Sequence, residues 1–141
     1  MKLRNLLVLA ILVFGISAFV AAEESKLAWE FSSDEWEGKR IAAAVFPGFS
    51  YDKVWDKVLD VLLFKKFTPW GALMKVTYDV VTVEKNSGLI VAKGFLAKKF
   101  KHTFKIKIRV MAGHVVMKCR CEGTRNKEVI EEFFRLLEKG L

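Results

Sequence analysis

The sequence is short of the side chains from which most catalytic and metal centres are built. It holds two histidines, His102 and His114, and two cysteines, Cys119 and Cys121. It has no serine elbow, no paired-carboxylate signature and no glycine-rich phosphate loop, the usual sequence marks of a nucleophile, an acid/base pair or a nucleotide site. The expectation is a protein that works without catalysis and without a cofactor. A Cys-x-Cys pair with one imidazole, His102, falls short of a zinc set, so no metal is expected. His114 reads as the residue that closes a turn.

Other absences bound the organisation. The chain has no internal repeat and no low-complexity linker, and no Asn-x-Ser/Thr acceptor for glycosylation follows residue 22. Between residues 85 and 121 there is no Asp or Glu at all. The same stretch holds ten cations: Lys85, Lys93, Lys98, Lys99, Lys101, Lys105, Lys107, Arg109, Lys118 and Arg120. The whole chain nets +8 from 24 Lys and Arg against 16 Asp and Glu, so this excess is concentrated in one part of it. An electrically two-sided molecule follows.

The first charge-free run, Asn5 to Ala22, comes after Lys2 and Arg4, is rich in Leu, Val, Ile and Phe, and ends on small residues. That is the layout of a signal peptide cleaved after Ala22, which predicts a periplasmic or secreted protein. The alternative is an N-terminal membrane anchor, because 18 uncharged residues sit at the short end of the roughly 17 to 25 that span a bilayer. The remaining 119 residues are enough for one domain with a real core.

Residues 23–38 mix acids with Trp29, Phe31 and Trp36 without a clear period, and are read as an N-terminal arm whose aromatics dock on a single domain over 39–141. KRIAAAVF, residues 39–46, reads as a short buried strand stopped by Pro47-Gly48. Ser50 caps a helix whose Tyr51, Val54, Trp55, Val58, Leu59 and Leu62 share one face, opposite Lys53, Asp56, Lys57 and Asp60. It should fade near Lys66.

From Lys75 the period becomes two: KVTYDVVTVE, a turn at Asn86-Ser87-Gly88, then LIVAKGFL. Leu89, Val91 and Phe95 alternate with Ile90, Ala92 and Leu96, and both sets are apolar. Which one faces the core stays open, and some cover over the second face is implied, whether the arm, a partner or a ligand. A last helix carries Val129, Ile130, Phe133, Phe134 and Leu137 as one stripe, with acids in its first turns and Gly140 as a stop. The fold class is therefore α+β: a curved antiparallel sheet with two packed helices, in the order strand, helix, four strands, helix.

FKIKIRVMAGHVVMKCRCEG, residues 104–123, is the most informative stretch. If Ala112-Gly113 is a two-residue turn, paired residues have numbers summing to 225. Phe104, Ile106, Ile108 and Val110 then face Cys121, Cys119, Met117 and Val115 on the core side. The opposite side pairs Lys107 with Lys118 and Lys105 with Arg120, beside Arg109. Like charges across a ladder are unfavourable unless anions or neighbouring carboxylates relieve them. Lys105, Lys107, Arg109, Lys118 and Arg120 are accordingly the candidate site for an anionic partner, against the plainer alternative of a solvated strand face. The cysteines alternate with the apolar set and read as buried thiols. Residues two apart in a strand lie about 6.7 Å apart at Cα, the limit for a disulfide.

The run from VFPGFSYDKVWDKVLDVL to YDVVTVEKNSGLIVAKGF resembles exported bacterial helix-grip domains of the NlpB type, the accessory lipoprotein of the outer-membrane barrel-assembly machinery. The resemblance rests on Tyr51, Trp55, Gly88 and Ile90 and implies a non-catalytic envelope domain that works by contact. That family is held by a lipid-modified cysteine, to which nothing near Ala22 corresponds. The partners expected are an envelope protein or an anionic membrane surface on the basic face. A small apolar molecule or lipid in the groove between the last helix and the sheet is the alternative. Export argues against nucleic acid.

Overall fold

A computed structural model of the chain describes residues 27–123 and 126–141. The expected signal segment, 1–22, and the first residues of the arm lie outside the described residues. Six strands and two helices follow in the order β1 (Ala28–Trp36), β2 (Lys39–Phe46), α1 (Tyr51–Phe64), β3 (Val76–Glu84), β4 (Leu89–Leu96), β5 (Lys99–Met111), β6 (His114–Gly123) and α2 (Asn126–Gly140). The strands form one antiparallel sheet in the order β1-β2-β6-β5-β4-β3. The α+β class and the antiparallel sheet with two helices are as expected, with one more strand at the front.

That extra strand is the segment read as an arm. Trp29 and Phe31 pair with Ala44 and Ala42, the register then shifts through residues 32–34, and Trp36 pairs with Lys39. Alternation places Trp29 and Phe31 on one side of the sheet and Trp36, of the opposite parity, on the other, and polar Ser33 and Glu35 follow on the first side, so no simple apolar period marks this strand. Glu37 and Gly38 then take φ values of 54° and 81° and form the two-residue turn into β2.

Both helices lie on one face of the sheet. Ser50 caps α1, its hydroxyl accepting from the Lys53 N–H at 3.1 Å. Val54, Trp55, Val58, Val61 and Leu62 are buried on the sheet side, and the helix ends at Phe64. Along α2 the predicted stripe is buried as expected, with Phe133 edge-on to Phe104 at 4.8 Å between ring centres and Phe134 stacked on Trp29 at 4.5 Å. Ala42, Ala44, Ile90, Ala92, Phe104, Ile106, Ile108, Met117, Cys119 and Cys121 supply the sheet's share of this core.

The choice left open for β4 is now made. Ile90 and Ala92 lie under the helices, while Leu89, Val91 and Phe95 are half-buried on the second face. Gly88 holds the β3–β4 turn against β5: its carbonyl accepts from the Ile108 N–H at 2.8 Å, and φ is 76°. A Cβ there would come within 1.9 Å of the Ile108 carbonyl oxygen, so only glycine fits.

The β5–β6 pairing follows the sum of 225 along its whole length, from His102 with Gly123 to Met111 with His114. Ala112 and Gly113 take φ of 51° and 82°, as a type I′ turn requires. Val110 is the exception on the core side: it points that way but lies beyond the helices and is exposed.

Candidate partner-binding face

The face of the sheet away from the helices carries all five candidate cations. Lys105, Lys107 and Arg109 come from β5, and Lys118 and Arg120 from β6, with Lys105 opposite Arg120, Lys107 opposite Lys118 and Arg109 opposite Val116. Alternation delivers them there: every intervening residue is apolar and turned toward the helices. Next to them on β4 are Leu89, opposite Lys107, and Val91, opposite Lys105. Ile41, Ala43, Val45 and Val116 lie on the same side and are buried.

The five cations divide into two groups. At one end the Glu37 carboxylate, on the β1–β2 turn, accepts from both Lys105 and Arg120, the latter at 2.7 Å. The Arg120 guanidinium also donates to Glu122 at 3.0 Å, and the residue is only 4% exposed. Hydrogen bonds from Lys105, with the nearby positive charges, hold the Glu37 carboxyl below the usual carboxylate range. This is the relief that a like-charge pair on a ladder needs. It turns Lys105 and Arg120 inward to an internal partner.

The other end is built from Lys107, Arg109 and Lys118. Lys107 and Arg109 make no ion pair among the described residues. The Lys118 ammonium lies 4.8 Å above the Trp36 ring, which also receives Lys105 at 5.2 Å. Burial, followed by the charges of Arg109 and Lys107, pushes the Lys118 ammonium below its ordinary value, against the weaker pull of Asp34 and Glu37. An anion placed among Lys107, Arg109 and Lys118 would therefore reduce an existing repulsion as well as gain its own attraction.

The remaining chemistry-bearing residues sit in the core. Cys119 and Cys121 are free and buried; burial pushes the Cys121 thiol up to about 12 and raises the Cys119 thiol well above its ordinary value. Such thiols are poor nucleophiles and poor metal ligands. His102 shares a 2.6 Å hydrogen bond between its Nε2 and the Tyr78 hydroxyl, and burial lowers its pKa to about 4. Gly94 makes room for this pair, since a Cβ there would come within 2.6 Å of His102 Nε2. No group of three or more His, Cys, Asp and Glu side chains is placed to hold a metal among the described residues.

The groove between α2 and the sheet is filled along its middle by Phe133, Phe134 and Leu137. At the start of α2 it opens into a cleft of about 500 Å³ lined by Phe31, Lys39, Arg40, Cys121, Lys127 and Ile130. No protein-family model matches the chain, and no curated protein and no solved structure shows significant similarity to it. No helix among the described residues is long and apolar enough to cross a membrane.

Proposed function

We propose that this chain is a non-enzymatic binding domain of an exported compartment that works by contact, engaging an acidic protein partner through the second face of its sheet. The uncharged run from Asn5 to Ala22 supports export, and the resemblance to NlpB-type domains points to the same kind of role. The observation that carries the binding reading is the gathering of Lys107, Arg109 and Lys118 beside half-buried Leu89 and Val91, with the Lys118 ammonium destabilised by its neighbours. Cations bordering half-buried apolar side chains on a flat face suit a protein surface of opposite charge, where charge sets approach and orientation and Leu89 and Val91 add contact. Lys105 and Arg120, tied to Glu37, hold the face in shape.

The test is a titration with an acidic peptide at low and moderate salt, using the full chain and a Lys107→Glu, Arg109→Glu variant. The reading expects binding that weakens about tenfold or more with salt and is lost in the variant. Equal, salt-insensitive behaviour of the two proteins would remove this face from consideration. The cleft at the start of α2 supports a second reading, a small ligand with an apolar body against Phe31 and Ile130 and an anionic group near Lys39, Arg40 and Lys127. Mass spectrometry of the purified protein for a retained lipid or other apolar molecule tests it.

A further inference from the structure

Two segments far apart in sequence meet at one end of the molecule. Leu96 pairs with Val76 on one side and with Lys99 on the other, and Phe67 bridges to Val76. The α1–β3 loop and the β4–β5 turn are therefore neighbours. Neither Val61–Tyr78 nor Gly94–Thr103 contains a single Asp or Glu. Beside their buried residues they display apolar side chains and lysines to solvent.

Leu73 is 99% exposed, Phe64 77%, Phe100 54% and Met74 44%. Lys66, Lys75, Lys98 and Lys99 are exposed around them and make no ion pair among the described residues; Lys65 reaches Asp60 at 3.6 Å. The loop that carries Leu73 is pinned at its base. The Val76 N–H donates to the Phe67 carbonyl at 2.8 Å, the Met74 N–H to the Gly71 carbonyl at 3.0 Å, and the Thr68 N–H to the Glu132 carboxylate at 3.3 Å. Phe67 is buried below it. Leu73 is thus displayed by a held loop.

The turn beside it carries a second sign. Ala97 and Lys98 take φ of 54° and 67°, a type I′ turn that Asn-Gly would form at little cost and that Ala and Lys form under strain. The turn holds Lys98 at its exposed tip.

We propose that this end docks on an anionic lipid bilayer. Phe64, Leu73, Met74 and Phe100 enter the boundary between headgroups and acyl chains, and Lys66, Lys75, Lys98 and Lys99 meet the lipid phosphates. The apolar groups protrude singly from two supports with cations between them, and nearly complete exposure of Leu73 leaves no walls to receive a partner's side chains. A fluid surface accommodates such projections, and the lysines complement its charge. This surface is separate from the second-face site: Lys107 lies eight residues along β5 from Lys99, roughly 25 Å away.

The experiment uses the full chain with Leu73→Cys carrying an environment-sensitive fluorophore, which the buried Cys119 and Cys121 leave as the accessible thiol. Emission should rise about threefold on adding phosphatidylglycerol-containing vesicles, little on phosphatidylcholine vesicles, and fall back in about 0.5 M salt. The same label on Val110→Cys, exposed near the β5–β6 turn, should not respond, and Lys66→Glu, Lys75→Glu, Lys98→Glu and Lys99→Glu together should abolish the response at 73. Lys107→Glu with Arg109→Glu should leave it intact, which separates this surface from the acidic-partner face. A silent label at 73 on vesicles that the chain otherwise binds would overturn the proposal, as would a response to polyglutamate that vesicles do not reproduce.

Discussion

Acidification is predicted to destabilise this protein through one side chain, His102. The imidazole is fully buried between β4 and β6, its Nε2 is taken by Tyr78, and its Nδ1 has no hydrogen-bond partner among the described residues. Burial lowers its pKa to about 4, from 6.5 in an exposed chain. As pH falls below 6.5 the unfolded chain takes up a proton that the folded chain refuses, so stability is lost from there down to about 4. Between pH 7 and pH 4 the loss comes to about 3 kcal/mol, a large part of the 5 to 15 kcal/mol that holds an ordinary domain together. Urea unfolding of the parent and of His102→Gln at several pH values in this range isolates the effect, because carboxylates contribute equally to both. The parent should lose about 3 kcal/mol more than the variant. Parallel pH dependences, or an imidazole that titrates near 6.5 in the folded protein by NMR, would refute the assignment.

Replacing Ala97-Lys98 by Asn-Gly should raise stability by about 1 to 2 kcal/mol in urea titrations by relieving two positive φ angles, while reducing the vesicle response through the loss of Lys98. Gly94→Ala should cost about 1 to 3 kcal/mol, because the new methyl group would press on His102 and on the Tyr78 ring, and the urea midpoint would report it. Cys119 and Cys121 should resist iodoacetamide near pH 8 in the folded protein and react together on unfolding; fast labelling of the native chain would contradict their burial.

The elements whose chemistry is local were readable from the sequence. Ser50 and the apolar stripes of α1 and α2 specify their helices, and Ala112-Gly113 alone sets the β5–β6 register. β4 could not be oriented because Leu89 and Val91 are as apolar as Ile90 and Ala92, and only the position of the helices distinguishes them. β1 escaped because its aromatics, Trp29 and Phe31 against Trp36, fall on opposite faces among polar residues, although Glu37-Gly38 between two extended runs is a turn signal of the same kind as Ala112-Gly113. The five cations of the candidate face were legible by alternation. Their division was not, since Glu37 is 68 residues from Lys105 and 83 from Arg120. The basic apolar end was hidden for the same reason: it exists only once Leu96 lies between Val76 and Lys99.

The most direct test of the central claim is amide chemical-shift mapping of the isotope-labelled protein during titration with an acidic peptide at low salt. The account predicts salt-sensitive shifts centred on Lys107, Arg109, Lys118 and the neighbouring Leu89 and Val91, with residues 64–75 and the start of α2 unmoved. Shifts confined to those other regions, or none at all, would contradict it.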